Sequence, residues 1–110
     1  MSRVIMGCAA VSADGFIADE SDGVGSLFDW LGNGDVEWAR VVDLAAGQIG
    51  GQALRLGLVD QVVMNVVPVV FGSGRPFFGP GDPVRLDDPS RVAQGDRVTH
   101  LLYDVSRPAA

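Results

Sequence analysis

Three stretches of the chain are apolar without the alternation of a half-exposed strand. Residues 4–11 (VIMGCAAV) stop short of Asp14-Gly15, residues 41–46 (VVDLAA, Val41 to Ala46) end at Gly47, and residues 62–71 (VVMNVVPVVF) end at Gly72. Unbroken apolar runs of this kind read as strands buried on both faces, as in a parallel sheet under helices. Pro68 removes a ladder donor from the third run and marks a bulge or a strand switch. Residues 19–35 are acidic and glycine-rich around a knot of Leu27, Phe28, Trp30 and Leu31, which predicts a loop carrying one helical turn. Residues 50–57 (GGQALRLG) predict a short helix with glycines at its start and Gly57 as its stop. Residues 72–83 are dense in Gly and Pro and predict a loop. Residues 84–94 and 97–105 flank Gly95-Asp96, a Gly-first two-residue hairpin turn. On the last strand, Val98, His100, Leu102 and Asp104 share one face, and Thr99, Leu101, Tyr103 and Val105 the other. The tail from Arg107 is expected to fray. The sum is an α/β chain with three core strands, one main short helix and a terminal antiparallel hairpin.

The 110 residues are one domain's worth, and 47% apolar with 20% charged composition is ordinary for a globular protein. No apolar run has the length of a membrane span, and Met1 to Met6 lacks the pattern of a secretory leader, so the expected location is the cytoplasm. Fourteen acids against eight bases give a net charge of −6, and every base is Arg. Residues 1–60 hold nine acids and three Arg, whereas 61–110 hold five of each. An acidic chain without a basic stripe repels phosphate backbones, which argues against a nucleic-acid partner. The absence of Lys excludes a Walker A loop and Schiff-base chemistry. Cys8 and His100, one of each type, cannot build a disulfide or a four-ligand zinc site, so no metal is expected. The inventory also has a deficit, because a doubly covered sheet needs helices on both faces and only one convincing helix is present.

Two glycine clusters bear on function. Gly47-Gln48-Ile49-Gly50-Gly51 lies between a strand and a helix start, where small residues and free N–H groups suit a phosphate; an ordinary tight strand–helix turn would look the same. Gly72-Ser73-Gly74-Arg75-Pro76 does not lead into a helix, and Arg75 is open to two readings, a phosphate contact or a solvated surface side chain. Asp14 follows a buried strand and precedes Gly15; it is the best polar candidate near a substrate, or an Asp-Gly turn whose carboxylate bonds its own backbone. Cys8 lies inside an apolar run, as buried small side chains do. His100 shares a face with Asp104, but no Ser is placed to complete a nucleophilic pair.

Val11-Ser12-Ala13-Asp14-Gly15-Phe16-Ile17-Ala18 resembles the S-x-D-G-(F/Y)-I-A signature that follows the first strand of the dihydrofolate reductase-like fold. The most similar branch is the reductase domain of the bifunctional riboflavin-biosynthesis deaminase–reductase, with its stand-alone bacterial relatives. Residues 46–54 (AGQIGGQAL) resemble that family's cofactor loop and following helix. Gly57-Leu58-Val59-Asp60-Gln61 and Val67-Pro68-Val69-Val70-Phe71-Gly72-Ser73-Gly74 resemble its "G-L-V-D-E … P-V-x-x-G-x-G" stretch. The match covers residues 1–37 and 41–107. Between them, Trp38-Ala39-Arg40 stand where family members carry a long middle with several helices and strands, which accounts for the missing helices.

The resemblance implies a three-layer dihydrofolate reductase-like fold truncated to about five mixed strands, with the retained strands as mutual neighbours. It implies NADPH as cofactor and hydride transfer to a pterin-like or ribosylaminopyrimidine substrate, with an inactive, oligomerising or binding remnant as the alternative. It makes Gly47, Gln48, Ile49, Gly50, Gly51 and Gln52 backbone partners of the cofactor diphosphate, Ala9, Phe16 and Ile17 the nicotinamide wall, and Asp14 the catalytic candidate. The deletion turns Val41 to Ala46 into an edge with only Asp43 to discourage pairing, so a homodimer or swapped assembly through that edge is expected. Trp30 and Trp38 flank the deletion and are expected to be partly exposed.

Overall fold

The apolar run that begins at Val62 forms the middle of a mixed sheet, as its lack of alternation predicts. In chain order the elements of the computed structural model are β1 (Ile5–Gly7), β2 (Val11–Ser12), β3 (Phe16–Ala18), β4 (Leu44–Ala45), α1 (Gln48–Arg55), β5 (Gln61–Val67), β6 (Arg75–Pro76), β7 (Arg91–Gln94) and β8 (Thr99–Asp104). The structure describes residues 3–7, 10–21, 23, 25 and 42–106. Cys8, Ala9, Val41, Trp30, Trp38, the apolar knot at 27–31, the junction at 38–40 and the tail from Arg107 lie outside the described residues.

The main sheet runs β4-β1-β5-β8-β7, with β2 also paired to β5. Strands β1, β4 and β2 are parallel to their partners, whereas β8 runs antiparallel to both β5 and β7. The retained strands are therefore neighbours, in five positions across one α/β sheet, as the resemblance implied. The first run is not one strand. Gly7 pairs with Val63 and Val11 with Val66, so four steps on one chain pass three on the other. That extra residue flips the pleat between β1 and β2. Met6 and Val11, an odd number of residues apart, consequently face the same core.

Pro68 ends β5, and the third run leaves the sheet there: Val69 turns back to donate to Val67 and accepts the Ala13 amide at 2.8 Å. The terminal hairpin also differs from expectation. Gln94 and Thr99 form its last pair, so its loop is four residues long, and the left-handed residue is Arg97 (φ 65°) rather than a glycine. The Gln94 side chain holds this loop, donating to the Val98 carbonyl at 3.0 Å and accepting from the Thr99 hydroxyl at 2.6 Å. Of the predicted strand at 84–94, residues 91–94 form β7, and before Pro89 a single antiparallel bridge joins Leu86 to Val105.

Helix α1 packs on one face of the sheet, where Leu54 meets Met6, Val11, Val59, Val62 and Phe77 in the main core. The other face carries Val63 and Leu102 with Ile5 beside them, and His100 hydrogen-bonded through Nδ1 to Asn65 at 2.9 Å. Strands β3 and β6 form a separate two-stranded sheet that the apolar pattern did not announce. At the edge, the exposed Asp43 carboxylate accepts the Ile5 amide at 2.9 Å. No described helix is long and apolar enough to cross a membrane.

Candidate functional site

The Ser12-Ala13-Asp14-Gly15 turn is a closed hydrogen-bond circuit. The buried Ser12 hydroxyl donates to Asp14 Oδ1 at 2.6 Å and accepts the Phe16 amide at 2.9 Å. Asp14 also accepts the Gly72 amide at 2.7 Å and the Phe71 amide at 3.2 Å, which ties the loop after β5 to the turn after β2. Gly15 makes the turn with φ 93°, and its carbonyl accepts the Phe77 amide at 2.9 Å. The Ser12 hydroxyl, above all, lowers the Asp14 pKa; desolvation works against it, and the Gly72 and Phe71 amides lower it further.

A carboxylate whose folded pKa lies below its unfolded value adds stability that is fully present above the unfolded value, near about pH 4, and is lost as pH falls through the folded one. Asp14→Asn is therefore expected to lower the thermal midpoint at neutral pH, with the gap to the native chain closing between about pH 5 and about pH 2. Thermal melts across that range check this, and a gap that stays constant would mean that the charge does not hold the loop.

The glycine loop sits where β4 feeds α1. Gly47 is the residue before the helix, at φ 97°, a conformation that suits glycine. Its amide donates to the Phe77 carbonyl at 2.6 Å, and its carbonyl accepts the Gly51 amide at 2.8 Å. The amides of Gln48, Ile49 and Gly50 precede the first helical donor, Gly51, and have no partner within the helix, and no cap side chain bonds to them. Gly50 and Gly51 are buried for a packing reason: a Cβ on Gly50 would overlap the Ala45 carbonyl oxygen, and one on Gly51 the Phe78 carbonyl oxygen. From the last turn of α1, Arg55 donates to the carbonyls of Asp82 (2.8 Å), Phe78 (3.0 Å) and Gly79 (3.3 Å). That clamp fixes the loop facing the helix start.

These elements enclose a cavity of about 540 Å³ lined by Ile17 and Ala18 of β3, Gly47 and Gln48 at the helix start, Arg75 of β6, and Gly79. Ala46, Pro76 and Pro80 complete the wall. Its size is that of a small-molecule site, roughly 300–1,000 Å³. Among the described residues Arg75 is the charged member of the lining, so its guanidinium and the start of α1 border the same space. This donor set fits a phosphate.

Of the predicted residues, Ile17, Gly47 and Gln48 come together here, while Asp14, Phe16, Ile49, Gly50, Gly51 and Gln52 are not lining residues. Ile49 is 71% exposed. The loop at 79–80 and the clamp by Arg55 were not anticipated, although the glycine–proline density at 72–83 was their visible signal.

No protein-family model matches the sequence, and no curated protein matches it. Solved structures do. A Shewanella sp. PV-4 protein named for riboflavin biosynthesis superposes with a TM-score of 0.67 at 14% identity, over 97% of this chain and 100% of that one. Acinetobacter baumannii RibD, in two crystal forms, matches at 20% identity with TM-scores of 0.49 and 0.50, over 56% and 57% of this chain. The chain covers 19% of the length of those RibD chains. The described mixed sheet and helix, matched along nearly their whole length, share the fold of the Shewanella protein, the dihydrofolate reductase-like fold that the resemblance implied.

Proposed function

We propose that the chain binds NADPH in the cavity at the start of α1 and acts as a reductase of the riboflavin-biosynthesis type on a pterin-like or ribosylaminopyrimidine substrate. The observation that carries this reading is the meeting of Gly47, Gln48 and Arg75 around one cavity. The amides of Gln48, Ile49 and Gly50, together with Arg75, would hold the diphosphate. Ile17, Ala18 and Pro76 would exclude water from the adjoining wall. When bound, the reduced nicotinamide supplies a hydride from its C4. The chain's own part is to bind and orient.

One observation favours a second reading, a binding module without turnover. The described cavity wall has no carboxylate or imidazole to move a proton, and Asp14 spends its oxygens on the Ser12, Phe71 and Gly72 donors. Both readings require the cofactor to bind.

Arg75→Gln tests the shared requirement. Loss of a charge-assisted contact worth about 1.5–3 kcal/mol should weaken NADPH by roughly 10- to 100-fold. Cofactor fluorescence titrations of both chains give the ratio, and equal affinities would remove Arg75 from the site. NADPH oxidation in the presence of a ribosylaminopyrimidine then separates the reductase from the binding module.

A further inference from the structure

The sheet has a second cavity, of about 470 Å³, that shares no lining residue with the one at α1. We propose that it binds a small organic anion, carboxylate or phosphate, held between Arg3 and Arg91. Arg3 precedes β1 and Gln61 opens β5, so this cavity lies at the N-terminal ends of the parallel strands. The α1 cavity lies beyond the C-terminal end of β4, where Ala46 and Gly47 follow the strand. The two sites are therefore at opposite ends of the sheet.

The floor is built and apolar. Ile5 and Leu102 lie on the face away from α1, and Leu102 is 8% exposed. Gln61, 7% exposed, is fixed by donating from Nε2 to Asp104 Oδ1 at 2.9 Å. The Ser90 hydroxyl is committed to the Leu102 carbonyl at 3.2 Å. The cationic groups that remain to meet a ligand are the two arginines on opposite flanks, with β5 and β8 between them, beside the second carboxylate oxygen of Asp104.

Arg91 pairs with Leu102, two residues from Asp104 on the neighbouring strand, a diagonal position within reach of a long side chain. Even so, among the described residues neither Arg91 nor Arg3 makes an ion pair or a side-chain hydrogen bond, and Asp104 bonds to Gln61 instead. Two arginines and one aspartate leave the lining one charge positive, in a chain of net charge −6. A guanidinium with no internal partner is a ready bidentate donor to carboxylate or phosphate. The apolar floor adds a place for the organic body of the ligand. The volume suits a small molecule rather than a macromolecule.

The test is an NMR titration of the full chain with succinate, glycerol 3-phosphate and inorganic phosphate, each to about 10 mM. The expected result is saturable shifts at the Gln61, Arg91 and Leu102 amides with at least one organic probe, weakened at least about fivefold by Arg91→Gln and by Arg3→Gln and unchanged by Arg75→Gln. Saturation by succinate alone assigns a carboxylate ligand, and by glycerol 3-phosphate alone a phosphate ligand. Three results would overturn the proposal: no saturable shift with any probe, inorganic phosphate binding as tightly as either organic anion, or binding lost with Arg75→Gln and kept with Arg91→Gln. The last would place the anion at α1 and leave the cofactor reading standing.

Discussion

Truncating Phe77 to alanine is expected to cost about 3–5 kcal/mol of folding stability. The side chain is 1% exposed and packs with Met6, Val11, Leu54, Val59 and Val62 in the main core. Its ring also meets Phe78 edge-on, with centroids 4.7 Å apart at 65°. A domain of this size has about 5–15 kcal/mol in total, so the variant would be marginal or unfolded. Phe77→Leu, which keeps most of the volume, should lose about half as much or less. The position matters beyond the core, because the Phe77 carbonyl holds the Gly47 amide and the Phe77 amide holds the Gly15 carbonyl. Cofactor affinity should therefore fall along with stability. Urea unfolding of the three chains measures this, and an alanine variant within about 1 kcal/mol of the native chain would contradict the packing described for Phe77.

Gly51→Ala separates intrinsic preference from tertiary structure by its sign. Judged by helix propensity alone, alanine in place of a glycine within α1 should stabilise by about 1 kcal/mol. In the folded chain the added Cβ would overlap the Phe78 carbonyl oxygen, a backbone atom in the loop clamped by Arg55. Helix and loop would have to separate, at a cost near the upper end of overpacking, about 3 kcal/mol. Gln52→Ala, one residue along on the exposed side of α1, should change stability by no more than about 0.5 kcal/mol. Chemical denaturation of both variants reads the difference directly. A stabilised Gly51→Ala would mean that α1 does not approach the 78–79 loop as described.

Much of the architecture was legible because burial on both faces leaves a direct trace in the sequence. The runs at 4–11 and 62–71 announced central strands, and Gly57, at φ 76°, marked the end of α1. What stayed hidden depends on contacts between distant segments. β3 and β6 are two or three residues long and pair across more than fifty positions, too short for any periodicity to show. The register slip between β1 and β2 shows only in their pairing with β5, more than fifty residues on. The hairpin turn was misplaced because Gly95-Asp96 looked sufficient, whereas the Gln94 side chain stabilises a longer loop.

At the candidate site, sequence located the loop and gave two readings for each polar group. Gly50 and Gly51 lie against backbone carbonyls that leave no room for a Cβ, and Asp14 accepts amides of the 71–72 loop. The Gly51 and Asp14 contacts are with Phe78 and Gly72, which lie some 27 and 58 residues away, and no local pattern encodes them.

The central claim is that the start of α1 holds the phosphates of a dinucleotide, and an amide-resolved NMR titration with NADPH tests it most directly. The account predicts saturable shifts at Gly47, Gln48, Ile49 and Gly50 with a Kd at the micromolar level, about 8 kcal/mol of binding. A folded chain whose Gly47–Gly50 amides do not move up to millimolar NADPH, about 4 kcal/mol, would contradict it.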